Sequence, residues 1–129
     1  MASLLSHVLF ILAQPKDAIL IPAPYYSSFE NHLQALAATV PWPVHMANPH
    51  LGPTLDELEA AALQAEREGL SIRALLLTNP NDPLGVVYRP STILTAVEWS
   101  RKRGMHTIVD EIYALSVHRP KRSRIRIHC

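Results

Sequence analysis

Residues 71–78, SIRALLLT, followed at 79–85 by NPNDPLG, decide the fold of this 129-residue chain. The centre of the first stretch, Ala74-Leu75-Leu76-Leu77, is a short unbroken apolar run of the kind found in a strand covered on both faces. The second stretch is proline, asparagine, aspartate and glycine, which is turn chemistry. Upstream, Pro53-Thr54 followed by Asp56 and Glu57 reads as a helix start, with Thr54 as cap and Glu57 three positions on. That helix runs through LDELEAAALQAEREG and stops at Gly69, where a left-handed residue costs least. Downstream, a helix from about 91 to 103 carries basic residues at its end, as the helix dipole prefers, and closes at Gly104. Residues 106–109 (HTIV) form one more short strand, with Asp110 directly at its carboxyl end.

Further out the alternation continues. Residues 18–22 (AILIP) read as a strand, 28–38 as a helix, and 40–46 as an extended segment interrupted by Pro41 and Pro43. In the first residues, Leu5, Leu9 and Leu12 with Val8 and Ile11 recur at helical spacing, which predicts a buried amphipathic helix. A secretory leader is the weaker reading of that stretch: no Lys or Arg precedes it, and Gln14-Pro15-Lys16 supplies no cleavage site. Strand and helix alternate three or four times, which predicts a three-layer α/β/α fold with a mostly parallel sheet. In such sheets ligands bind outside the carboxyl ends of the strands, where both NPNDPLG and the Asp110 segment fall.

Composition narrows the class. At 48% hydrophobic residues the chain can build a single core, and its length fits one domain. The one cysteine, Cys129, allows no internal disulfide, so a reducing, cytoplasmic setting is expected. No apolar run approaches the roughly 18 residues of a spanning helix, so no membrane partner is expected. Residues 119–129 carry five basic residues and no acid. The remaining 118 hold seven basic residues against eleven acids, a charge of −4. A basic tail could touch an anionic surface, but an untied terminus is the simpler reading, and no nucleic-acid partner is expected. The seven histidines show no i, i+4 pairing with a nearby acid, so no metal site is expected. Neither GxGxxG nor GxxxxGK[ST] occurs. Trp42 and Trp99 read as core or interface anchors.

Three clusters fall near strand ends: Pro24-Tyr25-Tyr26, the loop 79–85, and Asp110-Glu111-Ile112-Tyr113. Singly, each is accounted for as a packed loop, a turn or a helix cap. Taken in order, DAILIPAPYYSSF, LLLTNPNDPLGVVY and IVDEIYALS resemble the large domain of the fold-type I, pyridoxal-5′-phosphate (PLP) dependent aminotransferases of class I/II. The branch they are most similar to is the 1-aminocyclopropane-1-carboxylate (ACC) synthase-like one. The resemblance covers about residues 2–118, a large domain truncated at both ends, with 119–129 a divergent basic tail.

The resemblance implies roles. Asp110 would pair with the pyridine nitrogen of PLP and keep it protonated, so that the ring acts as an electron sink. Tyr113 would bond the ring oxygen. Tyr26 would stack on the ring, with Tyr25 the alternative one residue earlier. Ala2 and Ser3 would open the helix that cradles the phosphate on backbone N–H groups. Two departures stand out. Asp82 occupies the position of an asparagine that donates to the ring oxygen, and an ionised carboxylate has no proton to donate. The lysine that holds the cofactor is absent: Lys16, Lys102 and Lys121 all lie elsewhere in the pattern. Asn79 reads as structural. The function so implied is a piece of an aminotransferase or ACC synthase-like enzyme acting on an amino-acid substrate, without turnover of its own, from a family of dimers. Two alternatives are a non-catalytic module pairing with a full-length relative as a homo- or heterodimer, and a splicing or gene-model product that folds poorly.

Overall fold

The computed structural model describes residues 2–35 and 37–117, with only the backbone of Ala2 and Ser3. The elements run α1 (Ala2–Leu12), β1 (Ala18–Ala23), α2 (Phe29–Ala35), β2 (Val40–His45), α3 (Leu55–Arg67), β3 (Ile72–Thr78), α4 (Pro90–Lys102) and β4 (His106–Asp110). A short 3₁₀ turn follows at Ala114–Ser116. The four strands form one parallel sheet in the order β2-β1-β3-β4. The basic segment expected at 119–129, with Lys121 and Cys129, lies outside the described residues.

Alternation along the strands feeds two cores. Leu20, Leu75 and Leu77 point to one face, where Leu58 and Ala62 of α3 and Trp99 of α4 cover them. Ile19, Ile21, Ala74 and Leu76 point to the other, covered by Leu5 and Leu9 of α1 and Phe29 and Leu33 of α2. The apolar run at 74–77 is therefore continuous because both faces of β3 are buried. The three-layer α/β/α fold follows.

The local signals act as read around α3. Glu57 N–H donates to Thr54 Oγ1 at 3.3 Å, and Thr54 N–H donates back to Glu57 Oε2 at 2.8 Å, a full capping box. At the other end Gly69 sits at φ +79°, Leu70 N–H reaches Ala65 O and Gly69 N–H reaches Glu66 O, which is a Schellman stop. Pro41 and Pro43 are accommodated because β2 is an edge strand: Val40 N–H turns inward to Asp17 O at 2.9 Å, so residues of the opposite parity face away from β1.

Two expectations need correction. The helix predicted over 28–38 ends at Ala35, since Ala38 adopts φ +49° and the N–H and hydroxyl of Thr39 both turn back to Leu33 O. Among the residues of the first helix whose side chains are described, only Leu5, Ser6 and Leu9 are buried; Ile11, counted among its buried positions, is 80% exposed. Its apolar residues occupy more than one face, and a periodicity count cannot say which face the sheet takes. Among the described residues no helix is long and apolar enough to cross a membrane.

Candidate functional site

Strand order creates the site. From β1 the chain crosses to β2 on one side, while β3 lies on the other, so the crevice between the carboxyl ends of β1 and β3 is the topological switch point. A cavity of about 190 Å³ opens there. Its polar wall is Thr78 at the end of β3, Asp82 in the following loop, Asp110 at the end of β4, and Tyr113. Tyr26, Phe29 and His32 close it from the β1–α2 side, and Leu5 of α1 and Ile112 complete the lining.

The loop that carries Asp82 is held by its two asparagines. Asn79 Oδ1 accepts from Tyr88 N–H at 2.9 Å, and Asn79 N–H donates to Asp110 O at 3.0 Å, tying the loop to β4. Buried Asn81 accepts from Leu84 N–H through its side chain and from Gly85 N–H through its carbonyl. These bonds turn the chain tightly and hold Asp82 over the sheet edge.

Asp82 and Tyr113 meet: the Tyr113 hydroxyl donates to Asp82 Oδ2 at 3.2 Å. That bond first, and then the charge of the carboxylate, holds the phenol above its ordinary pKa. The pair also borders a second, more open groove lined by Pro80, Asn81 and Ser116, so it forms a partition between two concavities. Asp110 Oδ1 accepts from Ile112 N–H at 3.1 Å, which turns the chain so that Tyr113 comes back to the cavity. Tyr26 packs edge-on against Phe29, with ring centroids 5.6 Å apart. Tyr25 turns elsewhere. Its hydroxyl donates to Glu30 Oε1 at 3.3 Å, and burial, followed by Glu30, raises its pKa.

Of the candidate residues, Asp82, Asp110, Tyr113 and Tyr26 therefore share one cavity. The side chains of Ala2 and Ser3 lie outside the description, although Leu5, one turn on in α1, lines the cavity. Lys16 precedes β1 and Lys102 ends α4, so both stand at the amino edge of the sheet, opposite the cavity. Two lining residues carried no sequence signal. Thr78 is 6% exposed with an unpartnered Oγ1, and His32 has a buried Nδ1 without a hydrogen-bond partner. Nothing but the three-dimensional convergence of β3 and α2 could have singled them out.

The residues present fit a flat nitrogen heterocycle: a carboxylate for a ring N–H, an aromatic wall, and buried polar atoms awaiting partners. Among the described residues they offer no lysine for covalent attachment, and Asp82 supplies an acceptor where a donor was expected.

The comparisons agree with this architecture. The family model for aminotransferase class I and II matches residues 1–127. The chain is 37% identical over 123 residues to 1-aminocyclopropane-1-carboxylate synthase-like protein 1 of Takifugu rubripes, covering 90% of this chain and 20% of that protein. It is 39% identical over 114 residues to the human protein named probable inactive 1-aminocyclopropane-1-carboxylate synthase-like protein 2, covering 83% of this chain and 20% of the relative. It thus spans about a fifth of the length of these curated relatives. Among solved structures, aspartate aminotransferase from Thermus thermophilus has the same fold with a TM-score of 0.75 at 19% identity, over 91% of this chain and 29% of that one. Alanine aminotransferase from Pyrococcus furiosus aligns with a TM-score of 0.72 at 23% identity, over 92% and 29%. With the parallel sheet, the switch-point cavity and a family match across almost its whole length, the chain belongs to the aminotransferase class I and II family.

Proposed function

We propose that this chain carries the ring-holding face of a PLP site in an ACC synthase-like member of the family, acting on an amino acid, and that these 129 residues alone do not turn substrate over. One observation carries the reading: Tyr26, Asp82, Asp110 and Tyr113, from three separate segments, line one cavity at the switch point.

Asp110 would hold a proton at the pyridine nitrogen, since a carboxylate there stabilises the charged ring. Tyr26 would stack on the ring and exclude water. The Tyr113–Asp82 pair would face the ring oxygen, and the amino end of α1 would take the phosphate on its free N–H groups. When bound, the cofactor supplies an electron sink for the substrate bond that breaks. Both transamination and the α,γ-elimination of ACC synthases use such ring contacts. The reading of no turnover is supported by the position of the two described lysines: proton transfer at the substrate carbon needs a base beside it, and Lys16 and Lys102 are at the far edge of the sheet. A cytoplasmic location goes with this reading, supported by the single cysteine.

The test is a PLP titration of the purified chain followed by absorbance, with its lysines dimethylated to suppress nonspecific imines. Saturable binding that is lost in Asp110→Ala is expected, with no conversion of amino acid to keto acid above that of free PLP. Binding indifferent to Asp110→Ala overturns the site assignment, and turnover overturns the inactivity.

A second reading, a module that pairs with a full-length relative as a heterodimer, is favoured by the apolar residues that α1 leaves exposed. Co-elution with that relative in size-exclusion chromatography is its expected result, and separate elution removes it.

A further inference from the structure

We infer that the cavity selects an amine-bearing, cationic pyridine, the pyridoxamine form of the cofactor, over the aldehyde form. The inference rests on the vitamin B6 reading above and adds to it a chemical preference set by this chain's own residues.

The cavity is rich in acceptors and poor in cations. Among the described residues two carboxylates, Asp82 and Asp110, line it, and no lysine or arginine does. The phenolic proton of Tyr113, which could otherwise go to a ligand, is already given to Asp82 Oδ2. Asp110 spends Oδ1 on Ile112 N–H, leaving its other oxygen for a ring N–H. Two polar atoms in the walls, Thr78 Oγ1 and His32 Nδ1, are buried and unpartnered, and Thr78 itself is more than nine-tenths buried. A hydroxyl can give or take a hydrogen bond, and a neutral imidazole leaves one nitrogen as an acceptor.

Against such walls the two ligand forms differ sharply. An aldehyde adds one more acceptor to a set of acceptors, and its usual hold is a covalent bond to a lysine, which none of the described lining residues is. An ammonium adds a positive charge and three donors, which the remaining oxygen of Asp82 and the Thr78 hydroxyl can receive. The Asp82 carboxylate, where an asparagine would offer a donor to a ring oxygenate, pushes in the same direction. It repels an anionic oxygen and attracts a neighbouring cation. The Tyr113 bond keeps Asp82 oriented at the cavity wall.

The test is equilibrium binding by calorimetry of the full 129-residue chain, lysines dimethylated, with pyridoxamine 5′-phosphate and PLP compared under the same buffer. A preference of about tenfold for the amine is expected, the size of one charge-assisted hydrogen bond. Asp82→Asn should shrink the preference to within about threefold by removing the charge. Thr78→Val, which keeps shape and removes the hydroxyl, should weaken the amine form more than the aldehyde, with circular dichroism confirming an unchanged fold. Equal binding of the two forms, tighter binding of the aldehyde, or a preference unmoved by Asp82→Asn overturns the inference while leaving the B6 site intact. No binding of either form that depends on Asp110 overturns the B6 reading itself.

Discussion

At the scale of single residues, the Asp82–Tyr113 contact is the feature that most separates this site from the pattern it resembles. A tyrosine that donates to a carboxylate resists losing its proton twice over, through the bond and through the charge, and Tyr113 is raised accordingly. Asp82→Asn removes the charge and keeps the shape, so the Tyr113 pKa should fall back toward its ordinary value. Ultraviolet titration of tyrosinate, compared with a Tyr113→Phe control, reads this directly; an unchanged titration curve would show that the contact does not form in solution. Four of the nine lining residues, Tyr26, Asp82, Asp110 and Tyr113, could be singled out in the sequence because they sit in short motifs. His32 and Thr78 were not legible. Their place depends on α2 and the end of β3 lining one cavity, a long-range fact that no local spacing encodes. Tyr25 and Tyr26 could not be told apart by sequence either, and the bond from Tyr25 to Glu30 is what separates them.

At the scale of elements, the signals that worked are those satisfied within one turn of chain. The Thr54–Glu57 box and the Gly69 stop need only their neighbours, so their residue types suffice to predict them. Glu57 does more than cap, because Oε1 also accepts from Ala47 N–H at 2.7 Å and so ties the β2 exit to α3. Partial burial alone would raise its pKa, but the hydrogen bonds from Thr54 and Ala47 outweigh it and hold the carboxyl below its ordinary value. The sign follows: a depressed folded pKa contributes stability above the unfolded pKa and loses it as pH falls through the folded one. Thr54→Ala should cost about 1 kcal/mol at neutral pH in urea unfolding. The stability gap between the parent chain and Glu57→Gln should be widest at neutral pH and narrow through the acid limb; a gap constant with pH would mean that the carboxylate charge is not what Thr54 and Ala47 recognise. The α2 exit failed as a prediction for the opposite reason: its stop has no glycine and relies on Ala38 in a left-handed turn secured by Thr39.

At the scale of the whole molecule, both faces of the central strands β1 and β3 are closed but the outside of the α1 layer is not. Leu4, Phe10 and Ile11 are 64%, 63% and 80% exposed, while Leu9 on the same helix is fully buried. Among the described residues β4 pairs only with β3, which leaves its outer edge open as well. Apolar patches of this kind on an isolated domain drive association, and open strand edges do the same by a different route. The two routes separate by mutation. A Phe10→Ser/Ile11→Lys variant removes apolar area that is mostly exposed and belongs to neither core cluster, so its stability in urea should stay within the small range of surface substitutions, about ±0.5 kcal/mol. Its sedimentation at rising concentration should shift toward monomer. Leu9→Ala, one residue away in sequence but inside the core, should instead cost about 2–5 kcal/mol without relieving association. If the double variant associates as strongly as the parent chain, the α1 face is not the adhesive surface. The open edge of β4 then carries the association, and a lysine or proline placed on that edge would be the substitution that disperses it.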